Sequence, residues 1–154
     1  MDASHPLLQR LRTQLTALPV ILRGVPPQRL TARVGSRWSA AENVAHLARH
    51  TELTLERVAR ILAEEEPAFA PYRAEDDPDW PAWLARAPEE NLARLHESRA
   101  RLIAAVERLS AADLSRPGRH ARFGPLTLEV WLEFYLIHEG HHLYLIFKRA
   151  RGVE

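Results

Sequence analysis

The sequence predicts an all-α protein, a four-helix bundle with a long crossover loop between its second and third helices. Three observations carry this. Four segments repeat apolar residues at helical spacing, prolines and glycines separate them, and no segment alternates as a strand does or repeats at the period of a solenoid. With 154 residues, 46% of them hydrophobic, the chain can bury a sizeable core, and a single domain over residues 1–154 is expected.

The first helix is expected over residues 6–18, with Leu7, Leu8, Leu11, Leu15 and Leu18 on one stripe. Pro6 suits a first turn, and Pro19 is expected to stop the pattern. A connector with Gly24, Pro26, Pro27 and Gly35 follows. Ser39 and Glu42 have capping-box spacing and open the second helix, whose stripe is Val44, Leu47, Thr51, Leu55, Val58 and Leu62. It is expected to fray at Glu64, Glu65 and Glu66, since a helix C-terminus disfavours carboxylates. Residues 67–87 form the long crossover, rich in proline and acid but carrying Tyr72, Trp80 and Trp83. Those aromatics are expected to pin the loop to the core; the alternative is a loop that covers one end of the bundle. The third helix is expected to begin near Pro88, with Leu92, Leu95, Leu102, Ile103, Val106 and Leu109 on one face. The fourth is expected to begin near Thr127 and to run almost to the C-terminus. It is apolar nearly all round, so it is either central to the core or also faces another subunit.

Composition removes several function classes. Charged residues make up 27% of the chain but balance to +1, and the arginines are scattered, which argues against a nucleic-acid surface. The absence of cysteine excludes disulfides, thiolate metal sites and a cysteine nucleophile, and fits a cytoplasmic protein. No leader pattern is visible at Met1–Pro6, and no run of about 18 apolar residues suggests a membrane span.

The chemistry concentrates in His138-Glu139-Gly140-His141-His142. Residues four apart stack on one helical face, so His138 and His142 present two imidazoles to one point, as two ligands of one metal must. Trp131, Phe134 and Tyr135 lie on the same face and are expected to line a pocket there. Two buried imidazoles without partners would cost several kcal/mol, and a metal would satisfy both. His46, at the flank of the second helix's stripe, is the best third ligand. His50, one turn on, is read as a supporting partner, with a substituting ligand or an exposed residue as alternatives. His141, about 60° round from His138, borders the site. His5, His96 and His120 are assigned to the surface.

The same run matches H-E-x-x-H, the zinc-peptidase pattern with Glu139 as general base. Its extended form needs glycine and histidine where Leu145 and Lys148 stand. The form with a downstream acidic ligand finds only the terminal Glu154, and no strand is expected to hold a peptide. A peptidase is therefore rejected, while Glu139 and His141 are kept as candidate bases beside the ion. Gly140, unfavourable inside a helix by about 1 kcal/mol, suggests close approach of a neighbouring segment.

Two stretches resemble the DinB/YfiT-like superfamily: residues 38–47, with Trp38, the Ser39–Glu42 capping pair and His46, and residues 124–143, with Gly124-Pro125-Leu126-Thr127-Leu128 and the histidine run. Asp79-Trp80 also looks familial. The resemblance runs through residues 7–146 and implies a bundle, often a homodimer, in which His46, His138 and His142 hold nickel, zinc or a similar divalent ion such as iron. It further implies a transferase that uses a low-molecular-weight thiol, activated as its thiolate by the ion, to attack a small electrophile. Arg49-His50 stands where relatives often carry acidic residues. Two other readings stay open. One is a non-catalytic bundle stapled by the metal, which a fourth ligand such as His50 or His141 would favour. The other is a stress-related interaction protein using Leu132, Leu136, Leu143 and Phe147 of the fourth helix. A metal-dependent hydrolase ranks below these.

Overall fold

The computed structural model describes residues 5–154; the part of the leader reading that falls on residues 1–4 lies outside the described residues. The helices are α1 (Pro6–Thr13), α2 (Ala17–Leu22), α3 (Pro27–Thr31), α4 (Ala40–Ala63), α5 (Trp80–Ala85), α6 (Pro88–Glu107), α7 (Ala111–Leu114) and α8 (Leu128–Ala150). The arm α1–α2, with α4, α6 and α8, forms the four-helix bundle; α4 packs against both α6 and α8.

Pro19 does not stop the first helix. A 3-10 turn at Gln14–Thr16 restarts it as α2. That turn places Pro19 within a fresh first turn, where its missing N–H is not required. The second expected helix is α4. The Ser39 hydroxyl accepts from the Glu42 N–H (3.1 Å), and the Glu42 carboxylate accepts from the Ser39 N–H (2.7 Å). Its C-terminal glutamates do not simply fray: Glu64 pairs with Arg60, Glu66 pairs with Arg119, and the Glu64 carbonyl accepts from Arg116. The α8 helix opens where expected, with the Thr127 hydroxyl accepting from the Val130 N–H.

Strands, which the sequence did not suggest, do occur. β1 (Ala68–Phe69) runs parallel to β2 (Pro117–His120), which pairs antiparallel with β3 (Gly124–Thr127), in the order β1-β2-β3. Two to four residues are too few for alternation to register. A Cβ on Gly118 would lie 2.8 Å from Ile61, and its carbonyl accepts from the Trp131 indole (3.0 Å), so the hairpin packs closely over one end of the bundle. His120, assigned to the surface, is half-buried and accepts from the N–H groups of Arg122 and Phe123 (3.0 and 3.2 Å), closing the hairpin turn.

The core divides into two apolar layers. One, under the hairpin, contains Leu8, Leu11, Ile61, Leu102, Trp131 and Leu132. The other contains Leu15, Leu18, Leu47, Trp80, Leu95 and Ile146. Along each helix the residues between the two sets are polar: Gln14, Thr51, Arg99 and Glu139. Glu139, fully buried, forms an ion pair with Arg99, accepts from Gln14 Nε2 (2.9 Å) and accepts from the Tyr135 hydroxyl (3.1 Å), which lies 2.9 Å from the Thr51 hydroxyl.

Candidate metal centre

The centre sits where α4 faces α8, on the far side of this polar layer from the hairpin. One ring nitrogen from each of His46, His138 and His142 lies within 4.8 Å of the other two, the only such donor group among the described residues. The Nε2 atoms of His46 and His138 face each other at 3.2 Å. Metal–nitrogen bonds of about 2.0–2.1 Å at roughly 90–109° put two donors ~2.9–3.4 Å apart, so that separation suits a shared ion.

The donors have the right protonation state. Burial, reinforced by neighbouring histidines, holds His46 down at about 3 and His142 at about 2. Burial, then His141 and Arg57, hold His138 at about 4. All three are neutral near pH 7, with lone pairs free for a cation. Asn43 anchors one of them. Its amide nitrogen donates to the Ser39 carbonyl (2.8 Å), which turns its Oδ1 toward His142 Nδ1, also at 2.8 Å. His142 Nδ1 therefore carries the proton, and Nε2 is left for a metal. The Nδ1 atoms of His46 and His138 are sealed from solvent without a protein partner. Neutral nitrogen donors, convergence and an anchored tautomer together fit a divalent ion.

The surroundings differ from those expected. Trp131 packs on Phe69 and Gly118, and Phe134 sits against His120 and Phe123, both at the hairpin end. Only Tyr135 approaches the histidines, stacking parallel to His50 at 5.9 Å. Trp131 shares a face of α8 with His138 by its spacing but lies seven residues, about 10 Å of helix, away. The aromatic wall comes instead from other elements. Trp38 lies 5.1 Å from His46, Tyr72 lies 5.8 Å from it, and Trp80 lies 6.3 Å from it. The crossover aromatics thus both enter the core and close over the site. Asn43, three residues before His46 and so on its face, is the functional residue the sequence reading missed; that spacing was its only signal.

Glu139 is not brought to the histidines: its carboxylate belongs to the Arg99 ion pair. His141 is exposed beside His142, at 5.4 Å between rings, and both line a cavity of about 670 Å³ together with Trp38, Asn43, Arg37 and Lys148. His50 is buried with its ring 4.0 Å from that of His138 but falls outside the donor group. Arg49 ties α4 to the crossover through Asp77 (2.7 Å). Gly140 makes no close approach; a Cβ there would meet Gln14 Nε2 at 4.0 Å. Leu132, Leu136 and Leu143 are buried, and of the partner surface expected on the fourth helix only Phe147 is exposed. Among the described residues, no helix is long and apolar enough to cross a membrane.

No curated protein matches the sequence closely. Among solved structures, YfiT from Bacillus subtilis, reported as "a probable metal-dependent hydrolase with an unusual four-helix bundle topology", is similar. It shows 25% identity and a TM-score of 0.79 over 96% of this chain and 87% of that one. The family model of the DinB superfamily matches residues 7–146. A match of that extent, on a chain whose Trp38–His46 segment and histidine run converge on one site, makes the protein a member of the DinB superfamily.

Proposed function

We propose that the protein is a metal-dependent enzyme in which His46, His138 and His142 hold one divalent ion, nickel or zinc, and that a low-molecular-weight thiol is transferred to a small electrophile beside it. The observation that carries the reading is the count of donors: three imidazoles converge and neither His50 nor His141 joins them, the composition of an open site rather than of a closed structural one. Bound there, the ion would supply Lewis acidity and lower the pKa of a coordinated thiol or water.

The chain's own residues supply the rest. Asn43 fixes the tautomer of His142. Trp38, Tyr72 and Trp80 shield the histidines from water. His141, exposed at the cavity mouth, stands where it can accept a proton from the incoming nucleophile. The cavity of about 670 Å³ is of the size of small-molecule sites, well beyond what a water nucleophile needs. A hydrolase, with water in place of the thiol, is the second reading, favoured by the likeness to YfiT. The exposed stripe Val130, Ile137 and Tyr144 on α8 supports a homodimer, to be checked by light scattering of the wild type and of Ile137→Glu.

The functional test is turnover by metal-loaded protein of 1-chloro-2,4-dinitrobenzene with a panel of small thiols, beside hydrolysis of a nitrophenyl ester without thiol. Thiol-dependent turnover that disappears in His138→Ala supports the transferase. Ester cleavage alone moves the assignment to the hydrolase, and turnover of neither by metal-loaded protein would leave a metal-stapled bundle.

A further inference from the structure

A second recess lies on the other side of the histidines from the cavity at His142. It is a groove of about 430 Å³ between α4 and the crossover, with Arg57, Arg60, Phe69, Pro71 and Tyr72 among its walls. Arg57 follows His46 by eleven residues and His50 by seven, which places it on the same face of α4. Its guanidinium lies 5.9 Å from the centre of the Phe69 ring and 5.4 Å from that of Trp131.

The other charges of the groove are committed: Arg60 pairs with Glu64 (2.6 Å), and Glu56 lies 3.6 Å from Arg49. Arg57 alone makes no ion pair within 4.0 Å and no hydrogen bond among the described residues, yet its nitrogens are not sealed from solvent. Burial draws its pKa below the usual arginine value, and Glu56 and Tyr72 offset only part of that. A partly buried cation with no direct ion-pair partner is incompletely compensated, Glu56 being shared with Arg49, and a guanidinium fork matches a carboxylate in two parallel hydrogen bonds. The groove also adjoins the centre. Tyr72, in its wall, lies 5.8 Å from His46, and Arg57 shares with His50 and Tyr135 the lining of a small cavity of about 10 Å³.

We propose that this groove is a carboxylate-binding subsite, in which Arg57 pairs with the acid group of a small aromatic or apolar molecule that is a substrate of the three-histidine centre. The word substrate rests on the functional reading above; the binding does not. Phe69, Pro71 and Tyr72 suit an aromatic body, which separates this groove from the polar cavity beside His142.

The test is calorimetric titration of the full chain, metal-free and metal-loaded, with benzoate and with benzamide. Benzoate is expected to bind in both states and benzamide weakly. Arg57→Gln is expected to weaken benzoate by about tenfold or more, the worth of one charge-assisted pair. Arg57→Lys, which keeps the charge, is expected to recover part of the loss, and circular dichroism confirms that both variants are folded. Lys148→Gln and His142→Ala should leave metal-free binding unchanged. Equal binding of benzoate to wild type and Arg57→Gln, equal binding of benzamide, no benzoate binding, or loss only in Lys148→Gln or His142→Ala would overturn the subsite. Arg57-dependent binding by a protein that takes up no metal would uphold the subsite and overturn the enzyme reading.

Discussion

His46, His138 and His142 are kept neutral by burial, and a neutral imidazole is both a good ligand and a floppy one unless its second nitrogen is held. Only His142 has that support from the protein, through Asn43. Asn43→Ala should therefore lower metal affinity by about 10–100-fold, measured by competition with a chromogenic chelator, while the fold persists. Unchanged affinity would remove Asn43 from the site. Glu139 tests the opposite assignment. The motif H-E-x-x-H suggested a base beside the ion, but the carboxylate is spent on Arg99, Tyr135 and Gln14. Glu139→Gln leaves Arg99 buried without its counter-charge and should destabilise the protein by about 3 kcal/mol in a urea titration, with metal stoichiometry unchanged. A fold of normal stability that no longer binds metal would restore the motif's usual meaning.

At the scale of elements, periodicity exposed what burial imposes. The stripes on α4 and α6, the Ser39–Glu42 cap and the start of α8 near Thr127 are local patterns and are read directly from sequence. Both ligands on α8 follow from their four-residue spacing. The pocket walls did not follow, because a face on a helix says nothing about position along it: Trp131 and His138 share a side of α8 but lie in different layers. Trp38 and Trp80 reach the histidines only through tertiary packing of a connector and a crossover, which no local period encodes. The hairpin is equally silent, its strands being short and bearing Pro117, Gly118 and Pro125. Gly140 shows the same limit. It suggested a tight contact, yet its site has room for a methyl group. Gly140→Ala should raise stability by about 0.5–1 kcal/mol, read as an increase in Tm; a clear decrease would reveal a close approach after all.

For the molecule as a whole, two apolar layers enclose a polar one, and the centre is built where α4 and α8 face each other beyond it. Holding three imidazoles neutral links stability to pH. An unfolded histidine takes up a proton below about 6.5, whereas in the fold protonation waits until about 3 for His46, about 4 for His138 and about 2 for His142. Between these limits the unfolded state binds more protons, so stability falls as pH falls, by at most about 1.4 kcal/mol per histidine per pH unit; above about 6.5 the three add no pH dependence. Metal-free protein should lose Tm between pH 7 and pH 5, and His142→Leu should flatten the slope. An unchanged slope would mean that these imidazoles are not held neutral. The most direct measurement is metal content by mass spectrometry of untagged protein purified without chelator, beside His138→Ala, with Tm recorded before and after chelation. One divalent ion per chain, absent from the variant and worth a rise in Tm, is the predicted result. No bound metal, with no change in Tm on adding zinc or nickel, would contradict a metal centre at His46, His138 and His142.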